Sequence, residues 1–118
     1  MSVDVRVVRV REFLSATVTG EFDLSVGRAA LNEIANIPPE GMNILIDARG
    51  ITGKGTLPEL YQLAREFQQL RKYQGRKTAI LADSSHLEDA QFLSVMAKQM
   101  GVDVRAVSSF EDALEWFE

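Results

Sequence analysis

The sequence predicts an α/β domain built on a mixed, mostly parallel sheet. Three observations carry this. Strand-like and helix-like segments alternate along most of the chain. Two short apolar runs, Ile44-Leu45-Ile46 and Ala79-Ile80-Leu81-Ala82, have the character of strands covered on both faces. The first three helical segments each open on Asp, Thr or Ser and close on Gly or Pro. The expected order is ββαβαβαβα over one domain, residues 1–118, with an N-terminal antiparallel hairpin and about four helices.

Val3 to Val7 alternates apolar and polar residues, the period of a half-buried strand. Val8 and Val10 continue on the other parity, which predicts a bulge or burial on both faces near Val7-Val8. After the polar break at Arg11-Glu12, Phe13 to Thr19 places Leu14, Ala16 and Val18 on one face, and Gly20 ends the strand. From Asp23 to Asn36, Val26, Ala30, Ile34 and Ile37 recur at helical spacing, with Asp23 or Ser25 as cap and Pro38-Pro39-Glu40-Gly41 as stop. Met42 to Asp47 is a buried strand, and Gly50 to Gly55 a loop with three glycines.

Thr56-Leu57-Pro58-Glu59 combines a Thr cap, an early Pro and a Glu at the capping-box position. Leu60, Leu63, Ala64, Phe67 and Leu70 follow on one helical face. Arg71, Lys72 and Arg76 sit near the helix end, where cations complement the dipole, and Gly75 stops it. Thr78 to Ala82 is the next strand. Ser85-His86-Leu87-Glu88 reads as a second capping box, before a helix burying Ala90, Leu93, Met96, Ala97 and Met100. Gly101 ends that helix. Val102, Val104 and Ala106 alternate with Asp103 and Arg105, so this strand lies at an edge. Ser108-Ser109-Phe110-Glu111 caps a last helix carrying Phe110, Ala113, Leu114 and Phe117.

Composition narrows the function. With 46% hydrophobic and 25% charged residues, the chain is neither disordered nor fibrous. The absence of cysteine excludes disulfides, thiolate nucleophiles and Cys-based metal sites. Thirteen basic against seventeen acidic residues, net charge −4, argue against a nucleic-acid partner. No segment approaches the roughly 18 apolar residues that span a bilayer. The N-terminus lacks the apolar core of a signal peptide, so the expected location is the cytoplasm.

The order and lengths of these elements resemble the STAS domain family, and most nearly its stand-alone, bacterial, SpoIIAA-like branch. The residues that carry the likeness are Val18-Thr19-Gly20-Glu21-Phe22-Asp23-Leu24 before the first helix, Ile44-Leu45-Ile46-Asp47-Ala48-Arg49-Gly50-Ile51 in the central strand, and Ser109-Phe110-Glu111-Asp112-Ala113-Leu114 at the end. The resemblance implies the family's fold and a regulatory, non-enzymatic role, as in anti-sigma-factor antagonists; related domains form the cytoplasmic tails of anion transporters. Antagonists of that kind carry a phosphorylatable Asp-Ser pair at the start of the second helix. Here those positions are Gly55-Thr56, so the hydroxyl is present and the Asp is not.

The candidate binding or switch loop comprises Asp47, Arg49, Thr52, Lys54 and Thr56, with Thr56 the candidate phosphosite. Glycines beside a helix N-terminus suit anions, but a P-loop needs Lys directly before Ser or Thr, and Gly55 separates Lys54 from Thr56. Thr56 is a cap first. His86, near Asp83, Glu88 and Asp89, is one ligand among carboxylates that the helix dipole already explains; no metal or other cofactor is expected. Ser84, Ser85 and His86 are adjacent and do not form a catalytic triad by themselves. Arg71, Lys72, Arg76 and Lys77 form a basic patch beside Tyr73, read as a solvated helix end. Phe92, Val95, Met96 and Trp116 exceed what one core stripe needs and are the candidate interface of a homodimer.

The expected function is therefore a regulatory module acting through a protein partner or a small apolar or anionic ligand. Two alternatives stand beside it. One is a carrier of an apolar, lipid-like ligand, since the family looks related in topology to CRAL-TRIO-type lipid-binding domains. The other is an enzyme using Asp47 and Arg49 at the strand C-terminal edge, where open α/β sheets bind ligands.

Overall fold

A computed structural model of the chain describes residues 4–10, 13–37 and 41–118. Val3, the break at Arg11-Glu12 and the Pro38-Pro39-Glu40 stop lie outside the described residues. The fold is α/β. Four strands, β2 (Phe13–Glu21), β3 (Asn43–Thr52), β4 (Lys77–Leu81) and β5 (Asp103–Val107), run parallel and lie side by side in chain order. β1 (Asp4–Val10) pairs with β2 in antiparallel register, Asp4 opposite Thr19 and Val10 opposite Phe13. The helices are α1 (Leu24–Ala35), α2 (Leu57–Gln69), α3 (Leu87–Gln99) and α4 (Phe110–Phe117).

Each crossover steps to the next strand in the same direction. Crossovers of one hand then lay their helices on one side of the sheet. Buried residues of α1, α2 and α3, among them Ile34, Phe67 and Leu93, share one cluster with Leu14, Ile44 and Ile46. α4 follows the last strand and covers the opposite face, where Ala113 joins Phe13, Leu45, Ala79, Leu81 and Val107. Ile44, Leu45 and Ile46 are 0%, 1% and 6% exposed, so β3 is covered from both sides. Coverage ends toward β1: Val8 is 54% exposed and Val10 is also exposed, opposite Ser15 and Phe13.

The expected irregularity near Val7-Val8 is absent. The β1–β2 register is unbroken from residue 4 to residue 10, and the shift lies instead between β2 and β3, at Thr17 and Thr19. Past that shift the two strands stay paired to Glu21 and Thr52. Gly20 therefore lies within β2 rather than ending it, and Gly50, Ile51 and Thr52 belong to β3 rather than to a loop. The close approach explains the glycine at position 50: a Cβ there would stand 2.6 Å from Thr19 Cγ2.

The caps follow the sequence for three helices. Asp23 Oδ1 accepts from Ser25 N at 2.9 Å and Val26 N at 3.3 Å. Thr56 and Glu59 form the reciprocal box, and Ser109 Oγ accepts from Asp112 N at 3.1 Å. Each such cap contributes about 1 kcal/mol. For α3 the expected box is not formed. The cap position, His86, makes no side-chain cap bond, and Asp83 Oδ1 instead fastens the turn before the helix, accepting from Ser85 N at 3.0 Å and His86 N at 3.1 Å. α3 buries Ala90, Leu93, Ser94 and Ala97, while Met96 and Met100 are only partly covered.

The basic patch after α2 does not exist as one surface. A single turn of 3₁₀ helix, Arg71–Tyr73, turns Lys72 and Tyr73 inward and leaves Arg71 outside. Lys72 is 4% exposed and its Nζ donates to the Ile37 carbonyl. Tyr73 is fully buried, donates its hydroxyl to the Leu31 carbonyl at 2.7 Å, and meets the Phe67 ring edge-on at 4.8 Å. Burial pushes its phenol far above the ordinary range. Lys77 reaches the other way, donating to the Trp116 carbonyl at 2.7 Å.

Candidate functional site

The C-terminal ends of the parallel strands carry two connections that meet. The first is Gly53–Thr56, between β3 and α2; the second is Ala82–His86, between β4 and α3. Parallel strands force this, because each must hand its chain to a helix at the same sheet edge. His86 joins the two: its Nε2 donates to the Gly53 carbonyl at 2.6 Å. Its Nδ1 lies 3.1 Å from Asp83 Oδ1 and 3.0 Å from Ser85 Oγ. The Gly53 carbonyl and then Asp83 raise the imidazole above its ordinary value. The Ser85 hydroxyl and then His86 lower Asp83 to about 2.

Thr52, Lys54 and Thr56 lie at this edge, all exposed. Thr56 is spent locally. Its N–H donates to Glu59 Oε1 at 2.8 Å, its hydroxyl donates to the same oxygen at 3.1 Å, and it accepts from Glu59 N at 3.3 Å. Pro58 has no N–H. Of the first helical turn only the Leu57 N–H is left open, which is a poor cradle for an anion. Leu57 itself is 61% exposed, and Tyr61, one turn on, is exposed beside it. The sequence reading passed over both, since neither breaks the helical pattern. At position 55 a Cβ would stand 2.9 Å and 3.1 Å from atoms of the Phe22 ring. Packing against Phe22 thus accounts for the glycine at this position.

Asp47 and Arg49 are not part of this edge cluster. Asp47 pairs in register with Leu81, whose side chain belongs to the α4 face, and strand alternation puts Asp47 there too. Arg49 grips it through Nε to Oδ1 at 3.0 Å and Nη2 to Oδ2 at 2.9 Å, while the Arg49 N–H donates to Oδ1 at 3.1 Å. These bonds hold the Asp47 carboxyl below its ordinary value, against the opposing effect of partial burial, and raise Arg49. The pair closes on itself and is a local brace.

Of the candidate interface residues, Phe92, Val95 and Met96 lie together on α3, and Trp116 lies apart from them. Val95 is exposed on α3, Phe92 is half-buried, and Met96 packs on the main core. Trp116 lies across the sheet on α4, against the second core cluster, with the Lys77 ammonium 5.6 Å and the Arg105 guanidinium 5.1 Å from its ring centre.

Beneath the two edge loops is a cavity of about 140 Å³. Its walls are Val18, Ile46, Ile51 and Ile80 from the sheet, with Ala30 and Ile34 of α1, Leu63 and Phe67 of α2, and Ala90 and Leu93 of α3. Gly53, Lys54, His86 and Asp89 lie where it meets the surface.

No protein-family model matches the chain, and no curated protein does. Solved structures do match. An anti-sigma factor antagonist from Mycobacterium paratuberculosis shares 19% identity and a TM-score of 0.65, over 98% of this chain and 94% of that one. An uncharacterized protein with a SpoIIAA-like fold from Shewanella loihica shares 17% identity and a TM-score of 0.56, over 99% and 94%. The chain has the SpoIIAA-like fold.

Proposed function

We propose that the chain is a non-enzymatic regulatory module that binds a protein partner through the Gly53–Thr56 loop and the first turn of α2. The observation that carries this is Leu57, 61% exposed beside Lys54 and Thr56, with Tyr61 exposed one turn further along. Exposed aliphatic and aromatic side chains on a capped helix are preordered anchors, and such anchors supply most of the affinity of an interface. The likeness to an anti-sigma factor antagonist supports a regulatory role of this kind. No helix among the described residues is long and apolar enough to cross a membrane.

Phosphorylation of Thr56 is the finer form of this reading. It would place about −1.5 to −2 charges against the Glu59 carboxylate and dismantle the capping box. The switch would therefore act by loosening the first turn that presents Leu57.

The test is an amide-shift titration against purified proteins encoded by neighbouring genes. Binding should move Gly53–Tyr61, and Leu57→Ala should weaken it by about tenfold or more, the loss of a modest hot spot. Shifts confined to other surfaces, with Gly53–Leu57 unmoved, would remove the reading.

A further inference from the structure

We propose that the cavity between α1, α2, α3 and the sheet is a binding site for a small neutral apolar molecule of about one aromatic ring, entered past the His86–Gly53 bridge. Size sets the first limit. The pocket, open on one side, is about 140 Å³. An apolar cavity of roughly 150 Å³ stays dry and accepts benzene or xenon. A long acyl chain exceeds such a space, so the occupant that it matches in size is a small molecule.

The walls set the chemistry. Gly27, Ala30, Ala48, Ala82 and Ala90, drawn from α1, β3, the β4–α3 connection and α3, all border the space. Larger residues at these points would fill it, and protein interiors are otherwise close-packed. The polar groups are confined to the rim, and two of them satisfy each other: the Gly53 carbonyl accepts from His86 Nε2 at 2.6 Å. Lys54 and Asp89, of opposite charge, complete the rim. A ligand carboxylate or amine drawn inside would find no partner there and would lose its hydration, which excludes charged ligands.

The bridge sets the entrance. Gly53 and Lys54 are exposed, so the cavity reaches the surface beside them. His86 closes that side by tying the β3–α2 loop to the β4–α3 loop. Opening it requires one hydrogen bond to break while Asp83 keeps the base of its loop capped.

The proposal does not rest on the protein-partner reading, and its test contains no partner. Methyl-labelled protein is titrated with toluene and with indole, with dodecanoate as the large-ligand control. Toluene should give intermolecular NOEs to methyls of Ala30, Ala48, Ala90 and Leu93. Ala30→Leu, which fills the space, should weaken binding by about tenfold or more while keeping the native spectrum. His86→Ala should speed toluene exchange. The site is overturned if saturating toluene leaves these methyls unmoved, if NOEs map elsewhere, or if a folded Ala30→Leu binds as tightly. Should Ala30→Leu not fold, the wild-type NOEs decide alone. An unchanged exchange rate in His86→Ala overturns the entrance, and NOEs from dodecanoate to the same methyls overturn the size limit.

Discussion

Replacing Leu45 by alanine tests the layer that α4 adds to the sheet. Leu45 is 1% exposed and packs with Phe13, Ala79, Leu81, Val107 and Ala113. The change removes three carbons from that cluster, a transfer cost of roughly 2 kcal/mol at about 0.8 kcal/mol per buried methylene. How much the cavity adds depends on which walls can close in. Two cannot: Leu45 sits in register with Ser15 on one side and Ala79 on the other, within continuous ladders. Only α4, eight residues long, is free to settle inward. The expected loss is therefore about 3 kcal/mol, inside the 2–5 kcal/mol usual for such truncations. Urea unfolding followed by the fluorescence of Trp116, the sole tryptophan and a neighbour of this cluster, reads it directly. Val95→Ala, at a side chain 55% exposed, is the control and should change stability by less than about 0.5 kcal/mol. A loss below about 1 kcal/mol for Leu45→Ala at unchanged m-value would refute the double coverage of β3.

Gly55→Ala should cost about 1–3 kcal/mol, because its Cβ would press on the Phe22 ring at 2.9 Å. Phe22→Leu in the same chain should recover part of that loss, and additive losses in a double-mutant cycle would contradict the contact. Tyr73→Phe should cost about 1 kcal/mol for the hydrogen bond to the Leu31 carbonyl, with packing on Phe67 kept; no change in the denaturation midpoint would show that this bond is not made. The Asp83–His86 cluster should make stability depend on pH in two limbs. Asp83 is lowered from 3.8 to about 2, so its contribution is present above 3.8 and fades as pH falls through about 2. His86 is raised from 6.5, so its contribution is present below 6.5 and fades as pH rises through the folded value. The stability gap between the native protein and Asp83→Asn should accordingly be widest between 3.8 and 6.5; a gap constant across the range would discard the linkage.

The sequence by itself determined what depends on neighbours in the chain. Caps at Asp23, Thr56 and Ser109 are local hydrogen bonds between residues two or three apart, and the structure makes each one. The apolar runs at Ile44 and Ala79 demand cover on two faces wherever they go, and they have it. Partners distant in the chain decided the rest. Gly50–Thr52 reads as a loop because glycines punctuate it, yet pairing with Thr19, Gly20 and Glu21 makes it strand. Ser85 does not cap α3, because the turn leaving β4 ties its N–H and that of His86 to the Asp83 carboxylate before the helix begins. Lys72 looks solvated by composition, and the inward 3₁₀ turn buries it beneath Ile37. Trp116 shares an apolar surplus with Phe92, Val95 and Met96 of α3 but not a surface, since α3 and α4 lie on opposite faces of the sheet. The cavity and its His86–Gly53 bridge have no signature in the sequence at all. A void is a property of several elements packed at once, and a hydrogen bond between residues 33 apart exists only where the parallel sheet brings two loops to one edge.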